Sequence, residues 1–408
     1  MTQLLTRRDF LKTAAKTAGA VGAAGAAGLA GFSSIQAPLF AKAENITLKI
    51  GYLPITDAAP LLVAHANGYF QEEGLKVETP IRVRSWSALA ESFLTGKFNV
   101  THMLLPIPIW MRYNSSVPVK ILAWNHTNGS AITVRANSGI NGFADLKRKQ
   151  MAVPHWYSMH NVILQMGLRK MGITPVIRSQ STALKADETN LFILPPSEMP
   201  AALFGGKIDG YIVAEPFNAI AEMRIGARVM RFTGDIWKNH PCCVVVMMEE
   251  ISNSQPVFTQ KVINAIVRAQ LWMTKNPAKA AHVLSRDGGK YLPLPEDVLL
   301  RVFSHYDVAV YGDETGPKAI RHAEWDIGRI GFQPFPYPSA TRFIVKEMGH
   351  TLMEGDTAFL KKLDVEFVVK DLVDDSFVKK AIDDVGGPGQ FHAIDIEHPW
   401  EREEVIEL

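Results

Sequence analysis

Apolar residues along this chain follow two spacings, and the switches between them mark its elements. Ile46, Leu48 and Ile50 stand two apart among polar neighbours and predict a half-buried strand running into Gly51-Tyr52-Leu53-Pro54. Pro60 to Gly68, with proline in the first turn and glycine after the last apolar residue, predicts a helix. The loop between them, Ile55 to Ala59 with Asp57 at its centre, then lies at a strand's carboxyl end, where open α/β sheets hold ligands. Ser85 predicts an N-cap ahead of Trp86, Leu89, Ala90, Phe93 and Leu94, a stripe at i, i+3, i+4, i+7 and i+8. Met151 to Pro154 predicts a short strand, and Ser158 caps a helix striped by Met159, Val162, Ile163 and Met166. His160 and Asn161 fall in that helix's first turn, where free N–H groups and the dipole favour an anion.

One phrase occurs twice. Leu94-Thr95-Gly96-Lys97-Phe98-Asn99 and an apolar run ending in Pro106 return, 110 residues later, as Phe204-Gly205-Gly206-Lys207-Ile208-Asp209 and a run ending in Pro216. Each copy reads as a helix, a Gly-Lys turn, a buried strand and a proline that ends it. The fold class is therefore α/β, with two similar halves forming two lobes and a crevice between them. Polar, glycine-containing Asn137 to Gly142 predicts the crossing between lobes, with Gly139 and Gly142 as hinge positions. The first lobe spans 44–135 and the second 136–243; the strand Val244 to Met248 returns the chain to the first lobe for 244–385. Helices are expected near 256–276, 294–304 and 339–354, with aromatic Phe332 to Pro338 as a connector. Residues 386–408, rich in glycine, proline and acidic groups, predict a loose acidic tail.

The first 43 residues predict no part of this fold. Arg7-Arg8 precede a weakly hydrophobic Ala/Gly-rich stretch from Ala14 to Gly31, and Ala41-Lys42-Ala43 offers a cleavage site, the pattern of a twin-arginine (Tat) signal peptide. That route exports folded proteins through the Tat translocon to the bacterial periplasm. No cysteine follows the apolar stretch, so no lipid anchor is expected. Removing the leader takes away five cations and one anion, and the formal charge of +2 becomes about −2. With no basic cluster interleaved with aromatics, nucleic acid is not an expected partner. The remaining residues, about 365 in a chain that is 47% hydrophobic, suffice for two packed lobes, and no later apolar run is long enough to span a bilayer.

The only cysteines, Cys242 and Cys243, are adjacent. They cannot staple distant segments and are read as buried thiols, a strained vicinal disulfide or a reactive thiol. His65, His102, His126 and His155 show no metal-ligand spacing, and neither a metal nor a cofactor is expected. The alternative of an exported cofactor enzyme lacks a Gly-x-Gly-x-x-Gly turn after the first strand, cysteine clusters and a Gly-x-Ser-x-Gly turn, so no enzyme activity is expected.

Four segments together carry a family resemblance: Ile50-Gly51-Tyr52-Leu53 with Thr56-Asp57-Ala58-Ala59-Pro60, Asn128 to Val134, Val213-Ala214-Glu215-Pro216-Phe217, and Trp237-Lys238-Asn239-His240-Pro241. They resemble the nitrate/sulfonate/bicarbonate-type periplasmic solute-binding proteins of the NMT1/THI5-like superfamily, from about residue 46 to about 385. The resemblance implies a two-lobed periplasmic-binding-protein type II fold, each lobe a doubly wound sheet flanked by helices. Such a monomer closes on a small anion or small organic solute and delivers it to the permease and ATPase subunits of an ABC importer in the inner membrane.

The resemblance also implies ligand contacts from Trp86, His160 and Glu215, and Asp57, Ser130 and Cys243 complete the candidate set. Trp86 equally fits a core stripe, His160 a helix start, and Glu215 a partner for backbone N–H groups. Two positions depart from the nitrate pattern: Ser130 stands where nitrate binders have glutamine, and Cys243 where they have lysine. Losing a charge-assisted hydrogen bond of about 1.5–3 kcal/mol would weaken an anion roughly ten- to a hundredfold. With Trp86, Trp124, Trp156, Tyr157, Tyr211 and Phe217 expected near the cleft, a planar pyrimidine-type thiamine precursor is the alternative solute.

Overall fold

The computed structural model describes residues 46–305, 307–312, 318–392 and 394–408; the leader read from Arg7-Arg8 lies outside them. The strands in chain order begin with β1 (Ile50–Tyr52), β2 (Ile81–Arg82), β3 (Val100–Leu104), β4 (Val119–Trp124), β5 (Thr127–Asn128), β6 (Ser130–Arg135) and β7 (Gln150–Val153). They continue as β8 (Thr174–Val176), β9 (Glu188–Ile193), β10 (Gly210–Ala214), β11 (Ala227–Phe232), β12 (Cys243–Met248) and β13 (Ile330–Gly331). One sheet runs β2-β1-β3-β12-β4 and a second β11-β6-β10-β7-β9-β8, while β13 and β5 form a small ribbon. β1 is parallel to β2 and β3, and β7 is parallel to β9 and β10. Against that grain, β12 runs antiparallel to β3 and β4, and β6 antiparallel to β10 and β11. Each of these two strands arrives from the other sheet. β3 and β10 are buried at every residue, as strands covered on both faces must be.

The repeated phrase is a repeated structure. The helix Trp86–Leu94 leads through a turn to β3, as the helix Met199–Phe204 leads to β10. Gly96 and Gly206 take φ of 70° and 68°, the left-handed region where glycine alone is unstrained. Asn99 and Asp209 then do the same work. Their side chains accept the N–H groups of Lys49 and Gln150 at 2.9 and 2.8 Å. Their own N–H groups donate back to the carbonyls of the same two residues at 3.0 and 2.9 Å. A polar clip thus sets the register of β1 on β3 and of β7 on β10.

The crossings fall elsewhere than expected. β6, expected to close the first lobe, pairs in the second sheet, so the chain leaves the first sheet through 125–129 and returns through 233–242. Asn137 to Gly142 is a turn within the second half, and Gly139 and Gly142 are not on the connection between sheets. The true first crossing has no linker composition because it is buried: Asn125 and His126 are 0% exposed, Thr127 2% and Asn128 1%. The two crossings lie side by side, with Asn125 N–H donating to Cys243 O at 2.8 Å, Asn128 N–H to His240 O at 2.9 Å and Cys242 N–H to His126 O at 3.3 Å. Gly129, at φ 77°, ends the first of them where a Cβ would lie 3.1 Å from His126 Nδ1.

The three expected helices form as Pro256–Lys275, Glu296–Phe303 and Pro338–Met348. The last is shorter than expected, ending ahead of Gly349. The terminal segment is fastened, not loose. Lys238 N–H donates to Val405 O at 3.0 Å and Glu407 N–H to Ile236 O at 2.7 Å, while Glu404 accepts from Trp237 Nε1 and Ser339 Oγ, each at 2.6 Å. Its acidic residues serve as acceptors for the second crossing, which composition alone did not reveal. Among the described residues no helix is long and apolar enough to cross a membrane.

Candidate functional site

All six residues named from the sequence are buried, none more than 2% exposed. Asp57 lies in the turn Thr56–Ala58 after β1, and Trp86 opens its helix behind the Ser85 cap. Ser130 opens β6, His160 stands in the first turn of the helix Met159–Lys170, Glu215 follows β10, and Cys243 opens β12. Ser158 accepts the Asn161 N–H at 3.0 Å and so fixes the helix start that presents His160. These are strand ends and helix starts gathered at the two crossings.

A line of polar contacts joins most of them. His160 Nε2 is 2.9 Å from Ser130 Oγ, which is 3.8 Å from Cys242 Sγ. Cys243 Sγ donates to Asp57 Oδ2 at 3.1 Å, and His126 Nε2 lies 3.4 Å from Asp57 Oδ1. The two halves also meet directly, because Thr56 donates its N–H and hydroxyl to the Glu215 carbonyl at 3.2 and 2.8 Å. The site is thereby enclosed.

Trp86 stands edge-on to His102, ring centroids 5.4 Å apart. His102 Nε2 accepts the Leu53 N–H at 3.1 Å, which assigns the ring proton to Nδ1, and burial lowers its pKa to about 3, keeping the ring neutral. Trp86 Nε1, His102 Nδ1 and His160 Nδ1 are buried without a hydrogen-bond partner. A buried polar group left this way costs about 1–3 kcal/mol, so such atoms mark where a ligand's polar atoms belong.

The deeper groups hold one another's charge. Burial raises the Asp57 pKa, and His126 opposes the rise. Burial alone would depress His126, but Asp57 and Cys242 lift it to about 10. The Cys243 thiol is pushed well above its usual value by burial and by Cys242. Cys242 is pulled well below, in spite of burial, by the Cys243 hydrogen bond, His160 and His126.

Glu215 is committed elsewhere. It accepts from Arg329 Nε at 3.0 Å and from the Ala219 N–H at 3.1 Å. Arg329 also reaches Glu222 at 3.1 Å and the Tyr311 hydroxyl at 3.0 Å, with Phe232 under its guanidinium. The carboxylate is therefore an internal ion-pair partner, while the backbone carbonyl meets the first half. Of the aromatic inventory, Tyr211 donates to Phe217 O and Trp156 Nε1 to Glu354, and the Trp124 ring packs on Tyr337 while its Nε1, like that of Trp86, has no hydrogen-bond partner.

Sequence reasoning missed His102, His126, Cys242 and Arg329. Both cysteines are free thiols. With Asp57 and His126 they form a group whose ligand atoms all lie within 4.8 Å of one another, so His126, which shows no metal-ligand spacing in the sequence, has potential co-ligands far from it along the chain. A cavity of about 290 Å³, lined by Thr127, Asn128, Asn239, Phe303 and His305 among others, includes none of the six candidates.

Residues 41–286 match the profile of the NMT1-like family. This chain belongs to the NMT1-like family. The nitrate/nitrite binding protein NrtA of Nostoc sp. PCC 7120 is 30% identical to it over 345 residues, 76% of this chain and 75% of that protein. The nitrate import ATP-binding protein NrtC of Synechocystis sp. PCC 6803 is 32% identical over 242 residues, 55% of this chain but 35% of that protein. The crystal structure of the periplasmic nitrate-binding protein NrtA from Synechocystis PCC 6803 matches this NMT1-like chain with a TM-score of 0.69 at 18% identity, covering 88% of this chain and 93% of that one. That likeness shows the periplasmic-binding-protein fold expected from the sequence.

Proposed function

We propose that this protein is the solute-binding component of an ABC importer for a small anion of the nitrate, bicarbonate or sulfonate kind. It is exported by the twin-arginine route, works in the periplasm as a monomer, performs no chemistry and hands its solute to permease and ATPase subunits. The observation that carries this reading is the presence of buried ring nitrogens without a hydrogen-bond partner on Trp86, His102 and His160, with Trp86 edge-on to His102 and His160 bonded to Ser130 at the end of the first crossing. An indole N–H and imidazole nitrogens suit the acceptor-rich periphery of an oxyanion, and the helix start under His160 adds a favourable dipole. The names borne by the relatives support the same class. Cys243 faces Asp57, so no side-chain cation stands at that position, and neutral donors do the recognition.

The first sheet and the second sheet then act as two lobes that rock on the paired crossings. A solute moves open to closed only by its preference for the closed form, and a near-complete shift needs about 5.5 kcal/mol of differential affinity. Native mass spectrometry of periplasm-purified protein should reveal a small co-purifying anion, and small-angle scattering should show compaction when it is added back. Absence of binding to any of nitrate, bicarbonate and alkanesulfonates, with an unchanged radius of gyration, would sink the reading.

A further inference from the structure

Four fully buried side chains crowd together where the two crossings meet the Asp57 turn, with two sulfurs, a carboxylate and an imidazole all within 4.8 Å of one another. Asp57, His126, Cys242 and Cys243 are each 0% exposed, and Asp57 Oδ1 and both ring nitrogens of His126 lack a hydrogen-bond partner. We propose that these four residues form a four-coordinate zinc(II) site that ties both crossings to the Asp57 turn. The site lies beyond the solute-receptor reading and does not depend on which solute is carried.

The spacing already approaches that of a metal centre. With zinc bonds of about 2.3 Å to sulfur and about 2.0–2.1 Å to nitrogen and oxygen, a tetrahedron places N and O about 3.3 Å apart and S and O about 3.5 Å apart. The observed separations from the Asp57 carboxylate are 3.4 Å to His126 Nε2, 3.1 Å to Cys243 Sγ and 3.9 Å to Cys242 Sγ. The four ligand atoms all lie within 4.8 Å of one another, so side-chain movements of up to about an ångström bring them to tetrahedral separations. The donor set selects the metal as well. Two sulfurs and an imidazole exclude calcium and magnesium, which take oxygen ligands, and a carboxylate with four-fold coordination suits zinc better than copper(I).

Binding requires both sulfurs as thiolates and His126 as neutral imidazole, so the protons held by the Cys243 thiol and the His126 ring go to solvent, and two thiolates and one carboxylate then carry three negative charges against the ion's two positive ones. The centre is net negative, and it does not replace the lysine that nitrate binders carry at position 243. Its role is mechanical. His126 sits in the first crossing and Cys242 at the end of the second, so one ion holds both connections against the head of the helix Ala59–Ala66.

The test uses the reduced mature protein, stripped with a chelator and titrated with Zn²⁺ or Co²⁺ in the absence of solute. We expect one zinc ion by native mass spectrometry, a higher Tm with zinc, protection of both thiols from alkylation, and a thiolate-to-cobalt charge-transfer band in the near ultraviolet. Outer-shell changes alone cost about 10–100-fold in metal affinity, so Cys242→Ser or His126→Gln should each cost at least about 100-fold. Cobalt bound without the charge-transfer band, or thiols alkylated as fast with zinc as without, would overturn the proposal even if every variant misfolded. Unchanged zinc affinity in a folded Cys242→Ser/Cys243→Ser variant would do so too. Solute binding by the chelated protein, measured by calorimetry, reports separately on the receptor function.

Discussion

Replacing Arg329 by methionine separates a structural Glu215 from a ligand-binding one. Arg329 holds Glu215 through two guanidinium nitrogens, both residues are 1% exposed, and the other carboxylate oxygen has only the Ala219 N–H. Methionine keeps much of the packing on Phe232 but strands a buried carboxylate, and breaking a buried ion pair from one side costs about 3–5 kcal/mol. Burial already raises the Glu215 pKa and Arg329 opposes the rise, so the variant's Glu215 should titrate higher still. A carboxyl whose folded pKa lies above its unfolded value stabilises the fold when protonated. That stability is present below the unfolded pKa and is lost as pH rises through the folded one, at up to about 1.4 kcal/mol per pH unit. The variant should therefore be least stable on the alkaline side, with urea unfolding followed by tryptophan fluorescence at several pH values. Adding Glu215→Gln should restore most of the loss, a coupling of about 2–3 kcal/mol. If Arg329→Met unfolds within about 0.5 kcal/mol of the native protein at every pH but loses solute affinity, Glu215 and Arg329 serve the ligand and the structural assignment is wrong.

Trp86→Phe keeps the edge-on contact with His102 and removes the unpartnered Nε1–H. Stability should hold or rise slightly while affinity for an anionic solute falls by roughly tenfold or more, and calorimetry showing equal affinity would return Trp86 to the core. Arg112 pairs with Asp371 at 2.6 Å and Glu249 at 2.8 Å and is the first cause holding both carboxyls below their usual range. Their folded pKa values lie below the unfolded ones, so the stabilisation is present at neutral pH and disappears as pH falls below about 4. Arg112→Met should lower the neutral Tm and flatten the acid limb of Tm against pH; an acid limb as steep as that of the native protein would show that other carboxylates govern it.

Much of the fold was legible because its signals are local. The Gly-Lys phrase, its apolar strands and the Ser85 and Ser158 caps depend on residues within ten positions of one another, and the structure uses each of them as chemistry suggests. Asn99 and Asp209 differ by one atom type and clip their strands alike. The crossings were not legible for a physical reason. A linker read from composition is polar and exposed, whereas 125–129 is buried and hydrogen-bonded to 240–243, so its side chains resemble those of a strand. Conversely, Asn137 to Gly142 has the composition of a linker and is only a turn.

The site divides along the same line. Trp86 and His160 were found because each lies in the first turn of a helix whose start is written in the Ser85 and Ser158 caps, and Ser130 through the resemblance alone. Asp57 and Cys243 were found by position, but what they do depends on partners 69 and 186 residues from Asp57, at His126 and Cys243 itself, and no spacing rule joins those numbers. The one available hint was chemical. Two adjacent cysteines at the end of a segment that must cross between sheets, opposite an aspartate at a strand's carboxyl end, place soft donors and a hard one at the same topological point. Burial then decides what they can be, because a fully buried carboxylate and imidazole need a cation or a shared proton, and two thiols beside them suit a metal.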